Sequence, residues 1–70
     1  MEHVKYNRIK VVLAEKHTTN RELADKLGVK PQTVSNWCTN SKQPPIHQLF
    51  EIARALGVEA KDLLSQVKDV

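Results

Sequence analysis

The stretch Thr19–Asn40, which reads TNRELADKLGVKPQTVSNWCTN, decides the fold of this 70-residue chain. It begins with a helix-start signal, because Thr19 precedes Glu22 by three residues. At this spacing the hydroxyl and the carboxylate can each accept a hydrogen bond from the other residue's backbone N–H, which forms a capping box. Apolar residues then follow at the spacing of one helical face, namely Leu23, Ala24 and Leu27. The pattern predicts a helix over Asn20–Leu27.

A tight turn and a second helix follow this first helix. Gly28 stands where the chain must leave the helix with a positive φ, which glycine adopts without steric cost. Lys30 and Pro31 mark the start of a second helix, because proline is well tolerated in the first helical turn. A new apolar stripe comprises Val34, Trp37 and Cys38. The order predicts two helices joined by a turn of about three residues, the helix-turn-helix arrangement, with the second helix over Pro31–Thr39.

The predicted outer face of this second helix is polar but uncharged. At about 100° per residue, Gln32, Asn36 and Thr39 point away from the apolar stripe, and hydroxyl and amide side chains flank them. Amides and hydroxyls can read the edges of DNA bases, and asparagine and glutamine bond adenine bidentately. A polar surface helix without function would account for the same pattern, although such helices usually carry glutamate and lysine.

The charge distribution favours a polyanionic partner. The net charge is +3, and residues 1–50 hold eight Lys and Arg against four Asp and Glu. No carboxylate occurs between Lys26 and Phe50. A surface that lies against phosphates has reason to exclude acids. The single cysteine cannot form an internal disulfide, which suits a reducing cytosol, and no signal peptide or membrane-spanning run is predicted.

Several short motifs in a fixed order resemble the Cro and phage-repressor-like helix-turn-helix family, the xenobiotic-response-element class. They are Leu23-Ala24, Leu27-Gly28-Val29, Thr33-Val34-Ser35, Pro44 and Ala55-Leu56-Gly57-Val58. The resemblance covers roughly residues 9–64. It implies an all-α, lambda-repressor-like domain of five helices, a recognition helix in the major groove of double-stranded DNA, and binding as a dimer.

The resemblance and the predicted faces together identify candidate DNA contacts. Gln32 is the strongest candidate for a base contact, followed by Asn36 and Thr33, with Ser35 and Pro31 beside them. Predicted phosphate contacts lie at the two helix starts and in the loop that follows the second helix. They are Asn20, Arg21, Lys30, Asn40 and Lys42. Trp37 and Cys38 are predicted to belong to the interior.

The remaining helices complete one predicted domain over residues 1–70, with a core of about 6–66 and a lead-in over residues 1–5. We expect a first helix over Tyr6–Lys16, a fourth over Ile46–Leu56 and a fifth over Glu59–Gln66. In the fourth helix the predicted core stripe comprises Ile46, Leu49, Phe50, Ala53 and Leu56. Apolar residues outside the predicted core are candidates for a homodimer contact, namely Ile52, Leu64, Val67 and Val70.

No catalytic, cofactor or metal-binding pattern is found. The three histidines have no metal-ligand spacing, and there is no glycine-rich phosphate loop. We therefore expect a DNA-binding transcriptional regulator of the repressor type, located in the cytoplasm, and not an enzyme. Two alternatives remain: a protein-interaction module, such as an antitoxin that binds a toxin and its own operator, or a protein that binds single strands or RNA. The second is disfavoured, because three aromatic residues leave few stacking platforms.

Overall fold

The computed structural model describes residues 5–69 and confirms an all-α fold. Four α-helices follow one another along the chain: α1 (Ile9–Glu15), α2 (Asn20–Leu27), α3 (Pro31–Cys38) and α4 (Ile46–Leu56). Two short 3-10 turns follow, at Ala60–Leu63 and Val67–Asp69. The helix-turn-helix predicted from the central stretch is the pair α2 and α3.

The predicted fifth helix is a single 3-10 turn, so the count of five α-helices is wrong. The chain becomes extended at Leu64, with φ −104° and ψ 144°. This conformation lets the chain pair antiparallel with the segment before α1, where Arg8 N donates to Leu63 O (2.8 Å) and Ser65 N donates to Tyr6 O (2.9 Å). The same pairing holds Tyr6 outside α1, which begins at Ile9 and not at the predicted Tyr6.

One cluster of buried apolar side chains joins all four helices and the first 3-10 turn. The cluster comprises Ile9, Val12, Leu13, Leu23, Ala24, Val34, Trp37, Leu49, Ile52, Ala53, Leu56 and Leu63. The α1 stripe, the α2 stripe and the inward side of α3 supply the members that the apolar spacing predicted. Trp37 is 3% exposed, which confirms its place in the interior. Burial of these side chains is the main favourable contribution to folding.

The inward face of α4 differs from the prediction. Leu49, Ala53 and Leu56 are buried as expected, but Ile46 and Phe50 are 70% and 58% exposed. Ile52 takes the interior position and is 0% exposed, so its prediction as a dimer contact is wrong. The predicted face with Ile46 and Phe50 and the observed face with Ile52 both have the residue spacing of one side of a helix. The packing of α4 against α2 and the first 3-10 turn selects the arc that contains Ile52.

Candidate nucleic-acid interface

The start of α2 is fixed by the predicted capping box. Thr19 N donates to a carboxylate oxygen of Glu22 (2.8 Å), and Glu22 N donates to Thr19 Oγ1 (3.1 Å). Hydrogen bonding from the Thr19 backbone N–H, and secondly from the Thr19 side chain, lowers the pKa of the Glu22 carboxyl below its usual range. The cap uses two of the N–H groups that a helix start would otherwise leave without partners. The first turn of α2 therefore has a defined position on the surface.

The turn between α2 and α3 has the expected conformation. Gly28 ends α2 with φ 70°, and Val29 N donates to Ala24 O (3.0 Å). Lys30 is extended, and Pro31 occupies the first turn of α3. The Lys30 side chain makes no capping hydrogen bond. The α3 start therefore combines a helix N-terminus, whose partial positive charge attracts anions, with a lysine charge.

The outward face of α3 carries the amides and hydroxyls that the sequence placed there. Pro31 and Gln32 are exposed at the first turn, and Thr33, Ser35 and Asn36 are half-buried along the helix. Val34 and Trp37 are buried on the opposite side. Gln32 Nε2 donates to Asn36 Oδ1 (3.0 Å), so the two amides lie side by side one helical turn apart. No carboxylate of the chain lies within α3 or its flanking turns.

Four of the five predicted phosphate contacts have exposed side chains around this face. Asn20 and Arg21 lie in the first turn of α2, Lys30 at the start of α3, and Lys42 in the loop after α3. Positive charge and amide donors thus lie at both helix starts and beyond the α3 C-terminus. These positions suit phosphate oxygens, which bind arginine, lysine, side-chain amides and helix N-termini.

Asn40, the fifth predicted phosphate contact, makes side-chain hydrogen bonds within the chain. Asn40 has φ 60°, and its Oδ1 accepts hydrogen bonds from Tyr6 N (2.9 Å) and Asn7 N (3.0 Å). Its Nδ2 donates to Asn7 O (3.2 Å). The carboxamide therefore holds the segment before α1 against the end of α3.

Two polar residues that the sequence pattern did not single out, Asn7 and Gln43, complete this attachment. Asn7 is 5% exposed, and its Nδ2 donates to Trp37 O (3.1 Å) and to Gln43 Oε1 (2.7 Å). Its Oδ1 accepts from the backbone N–H of Ile9 (3.0 Å), the first residue of α1. An asparagine that bonds the backbone N–H two residues further on forms an Asx turn, which is a local signal. The bonds to α3 and Gln43 span 30 and 36 residues and have no local signal.

Cys38 joins the end of α3 to the start of α2. Its Sγ donates to Asn20 Oδ1 over 3.5 Å. Partial burial raises the pKa of the thiol, although the positive charge of Lys10 acts in the opposite direction. A thiol with a raised pKa has little thiolate at neutral pH, so its reactivity is low. Cys38 is partly buried against the core, so its predicted place in the interior is met only in part.

A separate apolar depression lies where the two ends of the described chain meet. Tyr6, Leu64, Ser65 and Val67 line this open cavity of about 510 Å³. Leu64 is 45% exposed and Val67 is 91% exposed, so both predicted dimer residues in this segment are accessible. Val70, the remaining predicted dimer contact, and residues 1–4 of the predicted lead-in lie outside the described residues.

The described residues were also compared with the requirements of a metal site and of a membrane-spanning helix. Within residues 5–69, no group of three or more His, Cys, Asp and Glu side chains is arranged to hold a metal ion. In the same part of the chain, no helix has both the length and the apolar character needed to cross a bilayer.

Comparison with known proteins gives matches to a family model and to solved structures. A family model described as helix-turn-helix matches residues 9–63. Among solved structures, the chain is similar to the crystal structure of "a putative DNA-binding protein from Bacteroides fragilis". The two are 47% identical, the match covers 86% of this chain and 97% of that one, and the TM-score is 0.85. No curated protein matches significantly.

Proposed function

The chain belongs to the helix-turn-helix family of Cro-like and phage-repressor-like proteins, and from this membership we propose that it binds double-stranded DNA sequence-specifically and regulates transcription. The observation that carries the proposal is the two-sided character of α3. Its inner side is locked into the core by Val34 and Trp37, and its outer side presents uncharged amides and hydroxyls. A rigid helix with such a face is suited to the major groove.

In this proposal α3 reads the bases. Gln32 contacts a base near the N-terminus of the helix, and Asn36 lies one turn further along. The smaller side chains of Thr33, Ser35 and Pro31 make further contacts. Pro31 makes an apolar contact with a thymine methyl group. The similar protein from Bacteroides fragilis, whose description includes DNA binding, supports this choice of partner.

Phosphate contacts fix the position of α3 on the duplex. We assign them to Asn20, Arg21, Lys30 and Lys42, together with the N-terminal backbone groups of α2 and α3. Each neutralised phosphate releases counterions. The logarithm of the affinity therefore falls with the logarithm of the salt concentration, and the steepness of this fall is proportional to the number of such contacts. The absence of carboxylates from residues 26–50 avoids repulsion from the backbone at this surface.

Lys42→Ala tests the phosphate assignment. We expect this variant to bind all DNA sequences more weakly, and we expect the negative slope of log K against log salt to become shallower by about one unit. Gel shifts with selected and random duplexes at several salt concentrations measure both quantities. Lys61→Ala, an exposed lysine of the first 3-10 turn, is the matched control and should leave the slope unchanged. Equal slopes for both variants and the wild type would contradict the assignment.

We further propose that two copies bind one operator as a homodimer. Leu64 and Val67 are exposed beside Tyr6, and apolar surface of this kind on a small domain favours burial against a partner. A two-fold dimer places its recognition helices in successive major grooves, about 34 Å apart. The operator is then expected to contain two inverted half-sites about one helical turn apart, and binding sites selected from random duplexes would show them.

Binding to a partner protein is the second candidate, and one observation favours it. Ile46 and Phe50 are 70% and 58% exposed, and they lie one turn apart at the start of α4. An antitoxin, or an interaction module with this fold, could use this patch, whereas DNA binding through α3 does not require it. A salt-dependent gel shift with genomic fragments supports the first function. A stoichiometric complex with a partner protein supports the second, and an antitoxin would form it in addition to binding its own operator.

A further inference from the structure

The hydrogen bond between Gln32 and Asn36 links the two strongest candidates for base contact. Gln32 Nε2 donates to Asn36 Oδ1 over 3.0 Å on the outer face of α3. A bond of this kind adds little to the stability of an exposed helix. It does, however, fix which end of each planar amide faces the other, and the two ends of an amide present opposite hydrogen-bonding chemistry.

The bond leaves a defined set of donors and acceptors free. Gln32 keeps its carbonyl oxygen and one N–H, and this pair can bond N6 and N7 of an adenine bidentately. Asn36 keeps both N–H groups, because only its oxygen is engaged. Two donors match a base that presents acceptors in the major groove, which guanine does through N7 and O6 and thymine through O4.

The spacing of the two amides limits where these bases can lie. Residues four apart on a helix differ by about 6 Å along its axis. Successive base pairs are about 3.4 Å apart. The two bases are therefore within about two base-pair steps of each other, on the part of the half-site that meets the first turns of α3.

We propose that Gln32 and Asn36 read these bases as one unit, with adenine specified by Gln32 and guanine or thymine specified by Asn36. This inference rests on the proposed DNA binding and goes beyond it. Each amide holds the other in the orientation that suits its base, so loss of one side chain frees its neighbour to rotate. Cytosine, which presents only a donor in the major groove, is excluded at the Asn36 position.

Selection of binding sites from random duplexes, followed by affinity measurements, tests the unit. The proteins are the wild type, Gln32→Ala, Asn36→Ala and the double variant. We expect each single variant to lose base preference at both positions and to bind the best wild-type site about tenfold more weakly. The double variant should also be weakened by about tenfold, because either change alone already breaks the unit. Lys42→Ala is the control and should keep both preferences.

Asn36→Asp separates orientation from base contact. The aspartate can still accept the hydrogen bond from Gln32, but it has no N–H donors. We expect it to keep the adenine preference and to exchange guanine or thymine for cytosine, whose N4 group donates to a carboxylate. Its overall affinity will be lower because of charge repulsion, so base preference is the quantity to compare.

The outcomes distinguish this inference from the function on which it rests. If each single variant loses preference at one position only, and the double variant is weakened about a hundredfold, the two residues read bases independently and the inference is wrong. Loss of the adenine preference in Asn36→Asp contradicts it as well. If the wild type enriches no sequence, the proposed function fails and this inference fails with it.

Discussion

Two residues of the described chain other than glycine adopt a left-handed backbone conformation. His17 has φ 53° and Asn40 has φ 60°. Each ends a helix in the same way. His17 N donates to Ala14 O and Thr18 N to Leu13 O at the end of α1, and Asn40 N donates to Trp37 O at the end of α3. The left-handed region costs a side-chain-bearing residue about 1–2 kcal/mol, and asparagine tolerates it best. The two sites differ in what the side chain contributes, so they respond oppositely to glycine.

His17→Gly is expected to stabilise the protein. The side chain is exposed, so glycine removes the backbone strain without loss of a buried contact. Greater freedom of the unfolded chain offsets part of this gain, and the net increase in the free energy of unfolding should be about 0.5–1 kcal/mol. Urea denaturation measures it. His17→Ala is the control, because it removes the imidazole and keeps the strain. A glycine variant no more stable than the alanine variant would refute the argument.

Asn40→Gly is expected to destabilise the protein although the backbone strain is relieved. The carboxamide accepts from Tyr6 N and Asn7 N and donates to Asn7 O. Loss of these bonds should lower the free energy of unfolding by about 1–3 kcal/mol, more than the relief of strain returns. Asn40→Asp keeps the acceptor and loses the donor, so its stability should fall between the two. Equal stability of Asn40→Gly and wild type in urea denaturation would disprove the structural role.

At the scale of elements, the ends of α2 and α4 and the end of α1 could be predicted from the sequence to within a residue, whereas the start of α1 and the last turn could not. α2 is bounded by Thr19 and Gly28, and both signals act within four residues of the helix ends. The start of α1 and the loss of the fifth helix depend instead on pairing between residues 6–8 and 63–65. Contacts across such a separation leave no pattern in the local sequence.

The inward face of α3 was predicted correctly and that of α4 only in part, because the two helices differ in how clearly their apolar and polar arcs are separated. On α3 the apolar and polar arcs are distinct, so the spacing alone places Trp37 inside and Gln32 outside. On α4, Phe50 and Ile52 lie on different arcs of the helix, and both are apolar. Packing of α4 against α2 and the 3-10 turn determines that Ile52 is buried and Phe50 is exposed. The candidate site was likewise predictable where it depends on helical spacing. Asn7 was missed because its hydrogen-bond partners lie 30 and 36 residues away in the sequence.

The capping box makes the stability of α2 depend on pH. Hydrogen bonds from Thr19 lower the pKa of Glu22 in the folded protein. The carboxylate therefore stabilises the fold above the usual glutamate pKa of about 4.3, and this contribution is lost as the pH falls through the lowered folded value. We expect the free energy of unfolding to fall less steeply below pH 5 in Glu22→Gln than in wild type. Denaturation curves between pH 3 and 6 measure the difference, and parallel profiles would contradict this origin.

At the scale of the whole molecule, the excess of positive charge and most of the apolar depression lie in different parts of the chain. Residues 1–50 carry the excess of positive charge, whereas residues 51–70 hold three Lys and Arg against four Asp and Glu. The apolar depression of Tyr6, Leu64 and Val67 includes this less basic end. A surface without excess positive charge can approach its own copy with little repulsion. This division supports DNA contact through α2 and α3 and self-association through the chain ends.

Val67→Asp tests the proposed homodimer. The side chain is 91% exposed, so the change should leave the fold intact, but a charge in an apolar contact opposes association. We expect sedimentation to show a shift from dimer to monomer. Affinity for a duplex with two half-sites should fall at least tenfold, while affinity for a single half-site stays unchanged. Val11→Asp, an exposed valine on α1 outside the depression, is the matched control. If Val67→Asp keeps the wild-type mass and operator affinity, the dimer contact lies elsewhere, because a buried carboxylate at a two-fold interface would meet its own copy.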